Sequence, residues 1–169
     1  MMTDPAVVAA AKGVLDHGLL IIQSAGNQSS YYPQPGGSPA VSHVEDACNW
    51  SLGGTAAAGA LIVGGTNEFD ARWVMPASDP NWNTQCGTNL DCGSNVGPCI
   101  DLWAPAAAIV SASRAGGQAY CRLSGTSMAA PHVAGAAALY VQAHPTATPA
   151  QLAQALVNGA TTGVLATSG

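Results

Sequence analysis

The stretch Leu123-Ser124-Gly125-Thr126-Ser127-Met128-Ala129-Ala130-Pro131-His132-Val133-Ala134-Gly135 decides how the rest of the chain is read. It passes from a short extended segment through a tight turn into a helix. Gly125 permits the turn, because glycine adopts positive φ without steric cost. Ser127 falls where the turn becomes helix, so its N–H is one of the unpaired donors of a helix start. Pro131 is expected in the first turn, where a missing N–H costs little. Val133, Ala134, Ala136, Ala137, Leu139 and Tyr140 then make a wide apolar helix that reaches about His144. A serine at such a point is either an N-cap or a nucleophile, with N–H donors and the helix dipole ready for an oxyanion.

Further along, Thr148-Pro149 opens a last helix, with Leu152, Ala155, Leu156 and Val157 on its inner face and Asn158-Gly159 as its stop. At the other end, Thr3 or Asp4 caps a helix that starts at Pro5, runs to His17 and is ended by Gly18. Leu19 to Ile22 and Ala60 to Gly65 are continuous apolar runs, the mark of strands covered on both faces of a parallel sheet. The first run stops at Ser24-Ala25-Gly26-Asn27, and loops at the carboxyl ends of parallel strands are where open α/β sheets place their sites. Ile100 to Trp103 and Ile109 to Ser111 are short strand-like pieces, whereas Tyr31 to Gly54 and Asn67 to Pro98 read as surface loops. This alternation predicts one α/β domain over residues 1–169, a three-layer α/β/α unit around a short, mainly parallel sheet. The strand at 19–23 is expected near its centre.

Composition narrows the function classes. Hydrophobic residues are 48% of the 169, yet no apolar run approaches the roughly 18 residues of a membrane span, so no membrane partner is expected. Charged residues are 8%, against about a quarter in an average domain, so uncharged polar groups must cover the surface. A net charge of -5 with four Lys and Arg argues against nucleic acid. The five cysteines, at 48, 86, 92, 99 and 121, lack metal-knuckle spacing and suit the disulfides of a secreted protein. Met1 to Pro5 leads into neither a basic nor an apolar signal region. Exported composition without an export signal predicts a piece of a longer precursor.

Gly125 to Gly135 resembles the nucleophile segment of the subtilases, the subtilisin-like serine peptidases. Ala25-Gly26-Asn27, Ala47 to Ser51, Ala60 to Gly64, Asp70-Ala71-Arg72, Gly97 to Pro105 and Asn158 to Gly163 follow in family order, most like the branch of proteinase K and aqualysin. The resemblance implies Ser127 as nucleophile, Asn27 as oxyanion donor, and a peptide or simple ester as substrate. It places Ser24, Ala25 and Gly26 on one wall of the first specificity pocket, so enlarging Gly26 is expected to block ligand without unfolding the chain. It requires no cofactor and admits a structural calcium at Asp101 with the carbonyls of Ala58 and Ala60; the other reading of Asp101 is a carboxylate paired with Arg72 or solvated. It also implies a Cys48–Cys99 disulfide, after which Cys86–Cys92 would close a small loop and leave Cys121 free.

The chain departs from the family pattern in several places. Ala106 stands where a glycine is usual, so the turn there is expected to be strained or differently shaped. Gln28 to Glu45 and Val74 to Gly93 are long for the family. The family's Asp-Thr-Gly and His-Gly-Thr segments, which carry the catalytic Asp and His, do not occur in this sequence. The expectation is therefore the C-terminal portion of an incomplete subtilisin-like fold from a secreted parent, with a complementing N-terminal segment as partner. Of the histidines present, His132 lies about 140° around the helix from Ser127 and is expected buried and structural. His17 and His144 end helices. His43, near Glu45 and Asp46, is the one able to swing over the serine. Three functions remain open: a serine hydrolase, a catalytically incomplete fragment acting at most as a promiscuous esterase or binding module, and a scaffold or inhibitor-binding domain with a vestigial site.

Overall fold

The computed structural model describes residues 4–32, 41–55, 57, 59–75, 92–113, 116–117 and 119–165. Helix α1 (Pro5–Asp16) starts as its caps dictate: the Asp4 side chain accepts the Ala6 N–H at 2.8 Å and Pro5 opens the first turn. It ends at Gly18, φ +77, where Gly18 N–H bonds Leu15 O and Leu19 N–H bonds Val14 O. That pair of bonds is a Schellman termination. It removes Leu19 from the expected strand and leaves it 59% exposed. Strand β1 therefore runs Ile22–Ser24, later than the apolar run suggests.

A hairpin of β2 (Ser30–Tyr32) and β3 (Val41–His43) and two 3-10 turns at Ala47–Asn49 and Leu52–Gly54 replace part of the loop expected over 31–54. Strand β4 (Leu61–Thr66) follows, then β5 (Leu102–Pro105), the hairpin β6 (Ile109–Ala112) and β7 (Tyr120–Leu123), α2 (Thr126–Ala143) and α3 (Pro149–Gly159). The main sheet is β1-β4-β5, parallel throughout. The centre is thus β4, not the strand after α1; β4 pairs on both edges and its first five residues are buried.

Alternation along β4 builds the three layers. Ile62 faces a core of Ala25, Ala47, Leu52, Ala57 and Ala60 covered by Val8, Ala11 and Leu15 of α1. Leu61 and Val63 face the opposite core with Leu102, Ala129 and Val133, closed by Leu156 and Val157 of α3. Fully burying Ile62 and Val63 contributes about 1.5–3 kcal/mol each before chain entropy is counted. The architecture is α/β/α, as the pattern of elements predicts.

The remaining expectations divide. Cys48 and Cys99 form a disulfide across a separation of 51 residues. Cys121 is free, and Cys92 is disulfide-bonded, while its expected partner Cys86 lies outside the described residues. Ala106 is unstrained: it is fully buried, its N–H donates to Thr66 O, and its carbonyl accepts the Gly125 N–H. Positive φ falls instead on Ala108, at +54. Pro131 sits inside α2 rather than in its first turn, so it cannot donate to the Ser127 carbonyl one turn back.

Candidate active site

Asn27 and Ser127 meet through Thr126. Thr126 is fully buried and opens α2. Its N–H donates to Asn27 Oδ1 at 2.9 Å and its hydroxyl donates to the same oxygen at 2.7 Å. A backbone N–H can only donate, so these bonds set which atom of the amide faces Thr126. Asn27 Nδ2 is thereby turned the other way, over Gly125. A Cβ at Gly125 would lie 3.4 Å from that nitrogen, an ordinary contact; it is the φ of +145 at Gly125 that suits glycine alone.

Neither Asn27 Nδ2 nor the Ser127 N–H has a hydrogen-bond partner among the described residues. Ser127 is exposed in the first turn of α2, where the helix dipole favours negative charge. Two donors without acceptors thus lie on either side of one buried threonine, and unpaired donors of this kind are what an oxyanion requires.

The base is a different matter. Ser127 Oγ also has no partner among the described residues. It opens on a cavity of about 320 Å³ lined by Ile109, Val110, Ser111, Met128, Pro131 and His132. His132 is exposed rather than buried, a correction to expectation, and it shares this cavity; its Nδ1 is engaged with Met128 O at 2.8 Å. His17 Nδ1 is engaged with Gly13 O, and the His144 ring lies 4.4 Å from that of Tyr140. The backbone of His43 pairs with Ser30, and its side chain lies outside the described part of the structure.

Ser24 ends β1, Ala25 is fully buried, and Gly26 turns the chain with φ +95. A Cβ at Gly26 would come within 2.6 Å of Asn95 Nδ2 and 2.5 Å of Gln28 Oε1. Enlarging Gly26 would therefore disturb the fold and not merely a ligand, contrary to expectation.

Asp101 is exposed; its Oδ2 accepts the Ile62 N–H at 2.7 Å, joining the starts of β4 and β5. It does not pair with Arg72, which donates from Nη1 to Ser94 O at 3.2 Å and whose guanidinium is pulled below its ordinary pKa by burial. Among the described residues no three His, Cys, Asp or Glu side chains gather to hold a metal.

The residue that sequence reading missed is Asn95, fully buried and bonded all round the loop that carries Asn27. Its signal was absent from the sequence, because 92–96 forms isolated bridges to Gln28, Asp46 and Val74 rather than a patterned strand.

The subtilase family model matches residues 3–169. The chain belongs to the subtilase family. It is 38% identical over 164 residues to the extracellular serine proteinase of Thermus sp. (strain Rt41A), which covers 97% of this chain and 32% of that protein. It is 34% identical over 158 residues to alkaline serine exoprotease A of Vibrio alginolyticus, covering 94% of this chain and 23% of that one. The crystal structure of a cold adapted subtilisin-like serine proteinase superposes with a TM-score of 0.70 at 32% identity, over 97% of this chain and 46% of the other. This subtilase chain thus spans a third or less of the length of these two relatives and under half of the solved chain. No described helix is long and apolar enough to cross a membrane.

Proposed function

We propose that this chain is the nucleophile-bearing part of a serine peptidase domain. Ser127 Oγ attacks the carbonyl of a peptide, or of a simple ester; the oxygen gains negative charge and is received by Asn27 Nδ2 and the Ser127 N–H. The observation that carries this reading is the Thr126 clamp on Asn27 Oδ1, which turns the amide nitrogen outward beside an unpaired helix-start N–H. Ser24, Ala25 and Gly26 back the substrate groove by their place immediately before Asn27.

The hydroxyl proton needs a base, and a complementing N-terminal segment supplies it. Two features support such a partner. The outer edge of β1 pairs with no strand among the described residues. Helix α2 is apolar nearly all round yet exposes Leu139 at 70% and Val141 at 39%, and such helices are normally covered. A second reading rests on the unpartnered Ser127 Oγ: alone, the chain is catalytically incomplete and acts at most as a slow esterase or binding module. The names of the relatives and the disulfides support an extracellular parent.

The chemistry needs no organic cofactor. Oxygen-only donors suit a hard cation; Asp101, with the carbonyls of Ala58 and Ala60, would hold calcium, Ala58 lying outside the described residues. Such an ion would tie strand starts together and take no part in acyl transfer.

Labelling with a fluorophosphonate serine probe tests the assignment. Label on Ser127 that vanishes in Ser127→Ala supports it, and faster labelling when the N-terminal segment is supplied supports the missing base. No label under either condition rules out the peptidase reading.

A further inference from the structure

Asn95 uses every hydrogen-bonding position of its side chain on one loop. Its Oδ1 accepts the Gln28 N–H at 2.9 Å and the Ser29 N–H at 3.1 Å. Its Nδ2 donates to Ala25 O at 3.0 Å and to Gln28 Oε1 at 2.8 Å. Its own N–H donates to Gly26 O at 2.9 Å. The residues on both sides of Asn27 are thus fixed to one buried side chain, and the Asn27 carbonyl takes the Gly93 N–H at 3.2 Å. Asn27 itself is held at its side chain only by Thr126 among the described residues.

From this geometry we infer that Asn95 is a positioning residue for the oxyanion site: it fixes the 25–29 loop so that Asn27 Nδ2 points where charge develops. The inference rests on the peptidase reading above. Only an amide meets the demand. Two backbone donors face one of its ends and two oxygens face the other, so a carboxylate would set like charges against Ala25 O and Gln28 Oε1, and an alkyl group would leave buried polar atoms unpaired. The loop also has a soft point to resist, since Gly26 at φ +95 gives the backbone freedom to relax. A misplacement near 1 Å at such a site can cost about 100-fold in rate.

A double-mutant cycle separates positioning from general support. In the present chain, Asn95→Ser is expected to slow fluorophosphonate labelling of Ser127 by about 10- to 100-fold while circular dichroism shows the protein folded. In an Asn27→Ala background the same change should slow labelling by less than about twofold, because the group it aims is gone. Equal slowing in both backgrounds overturns the inference. Should Asn95→Ser fail to fold, Gln28→Met removes a single partner of Nδ2 and should give about a two- to tenfold version of the same non-additive effect. A readout independent of reactivity is the side-chain amide of Asn27 in nitrogen-edited NMR. Its resonances should shift, and its proximity to the Gly125 α-protons should be lost, in Asn95→Ser. An unmoved amide overturns the inference even where labelling falls. A wild-type Ser127 left unlabelled both without and with the N-terminal segment would defeat the peptidase reading instead, and the NMR result would still decide the role of Asn95.

Discussion

On one side of Thr126, Asn95 bonds to four neighbours of Asn27; on the other, neither the N–H nor the Oγ of Ser127 has a hydrogen-bond partner among the described residues. Both sides are fed by the same helix start and lie a few residues apart in space. The Asn27 side is complete within this chain, because its partners come from 25–29, 92–96 and 126. The Ser127 side opens on a cavity with apolar walls and one histidine already engaged with its own helix. Electrostatic reception of an oxyanion and activation of a nucleophile are separable jobs. Under the peptidase reading proposed above, they differ in how much of the machinery this chain provides.

The largest expected effect tests whether the closed side depends on its staple. Cys48–Cys99 anchors the Ala47–Asn49 turn beside Ile100, and Ala47 N–H in turn bonds Val96 O, next to Asn95. Replacing both cysteines by alanine should cost about 4 kcal/mol in the chain-entropy account for this loop length, read by urea denaturation. Labelling of the molecules that remain folded should change little. A loss under about 1 kcal/mol would mean that the closed side holds itself without the bridge.

Asn27→Ala attacks the comparison at its centre. It removes one oxyanion donor and should slow labelling of Ser127 by about 100- to 1000-fold, or about 3–4 kcal/mol. Thr126 N–H and Oγ lose their acceptor too, so thermal melting must be measured alongside. Unchanged labelling with lowered stability would show that Asn27 serves the turn alone.

Gly26→Val comes next. A non-glycine residue at φ +95 costs on the order of 1–3 kcal/mol, and the new side chain displaces Asn95 and Gln28. Stability and labelling should therefore fall together. Lost labelling with stability intact would restore the plain pocket-wall role expected for Gly26.

These predictions lean on contacts of unequal legibility. Helix limits were readable, because Asp4, Pro5, Gly18, Thr148 and Pro149 each do a local job at a helix end. The buried run at 60–65 was readable for the same reason that it is central: it is apolar on both faces. The start of β1 was not, since Leu19 is claimed by the end of α1 and no apolar pattern distinguishes a cap contact from a strand. Asn27 to Thr126 spans 99 residues and Asn95 to Gln28 spans 67, beyond any local pattern. An asparagine in a Gly-rich stretch reads as a turn residue until its four partners are seen. Family resemblance supplied Ser127, Asn27 and the Cys48–Cys99 pair; nothing in the spacing alone would have chosen them.

The smallest expected effect concerns Asp101, on the sheet and far from the asymmetry at Thr126. Its Oδ2 is spent on the Ile62 N–H, which leaves one carboxylate oxygen for an ion. Calcium takes six to eight oxygens, so carbonyls and water must supply the rest. A site with so little fixed charge binds weakly, and its contribution follows the logarithm of ion concentration over dissociation constant. At about ten times that constant the gain is about 1.4 kcal/mol, a few degrees in melting temperature for a domain of this size. Chelation should lower the melting temperature by that amount, and Asp101→Asn should abolish the response while leaving labelling of Ser127 unchanged. A melting temperature indifferent to chelator would remove the ion and leave Asp101 as the acceptor that joins the starts of β4 and β5.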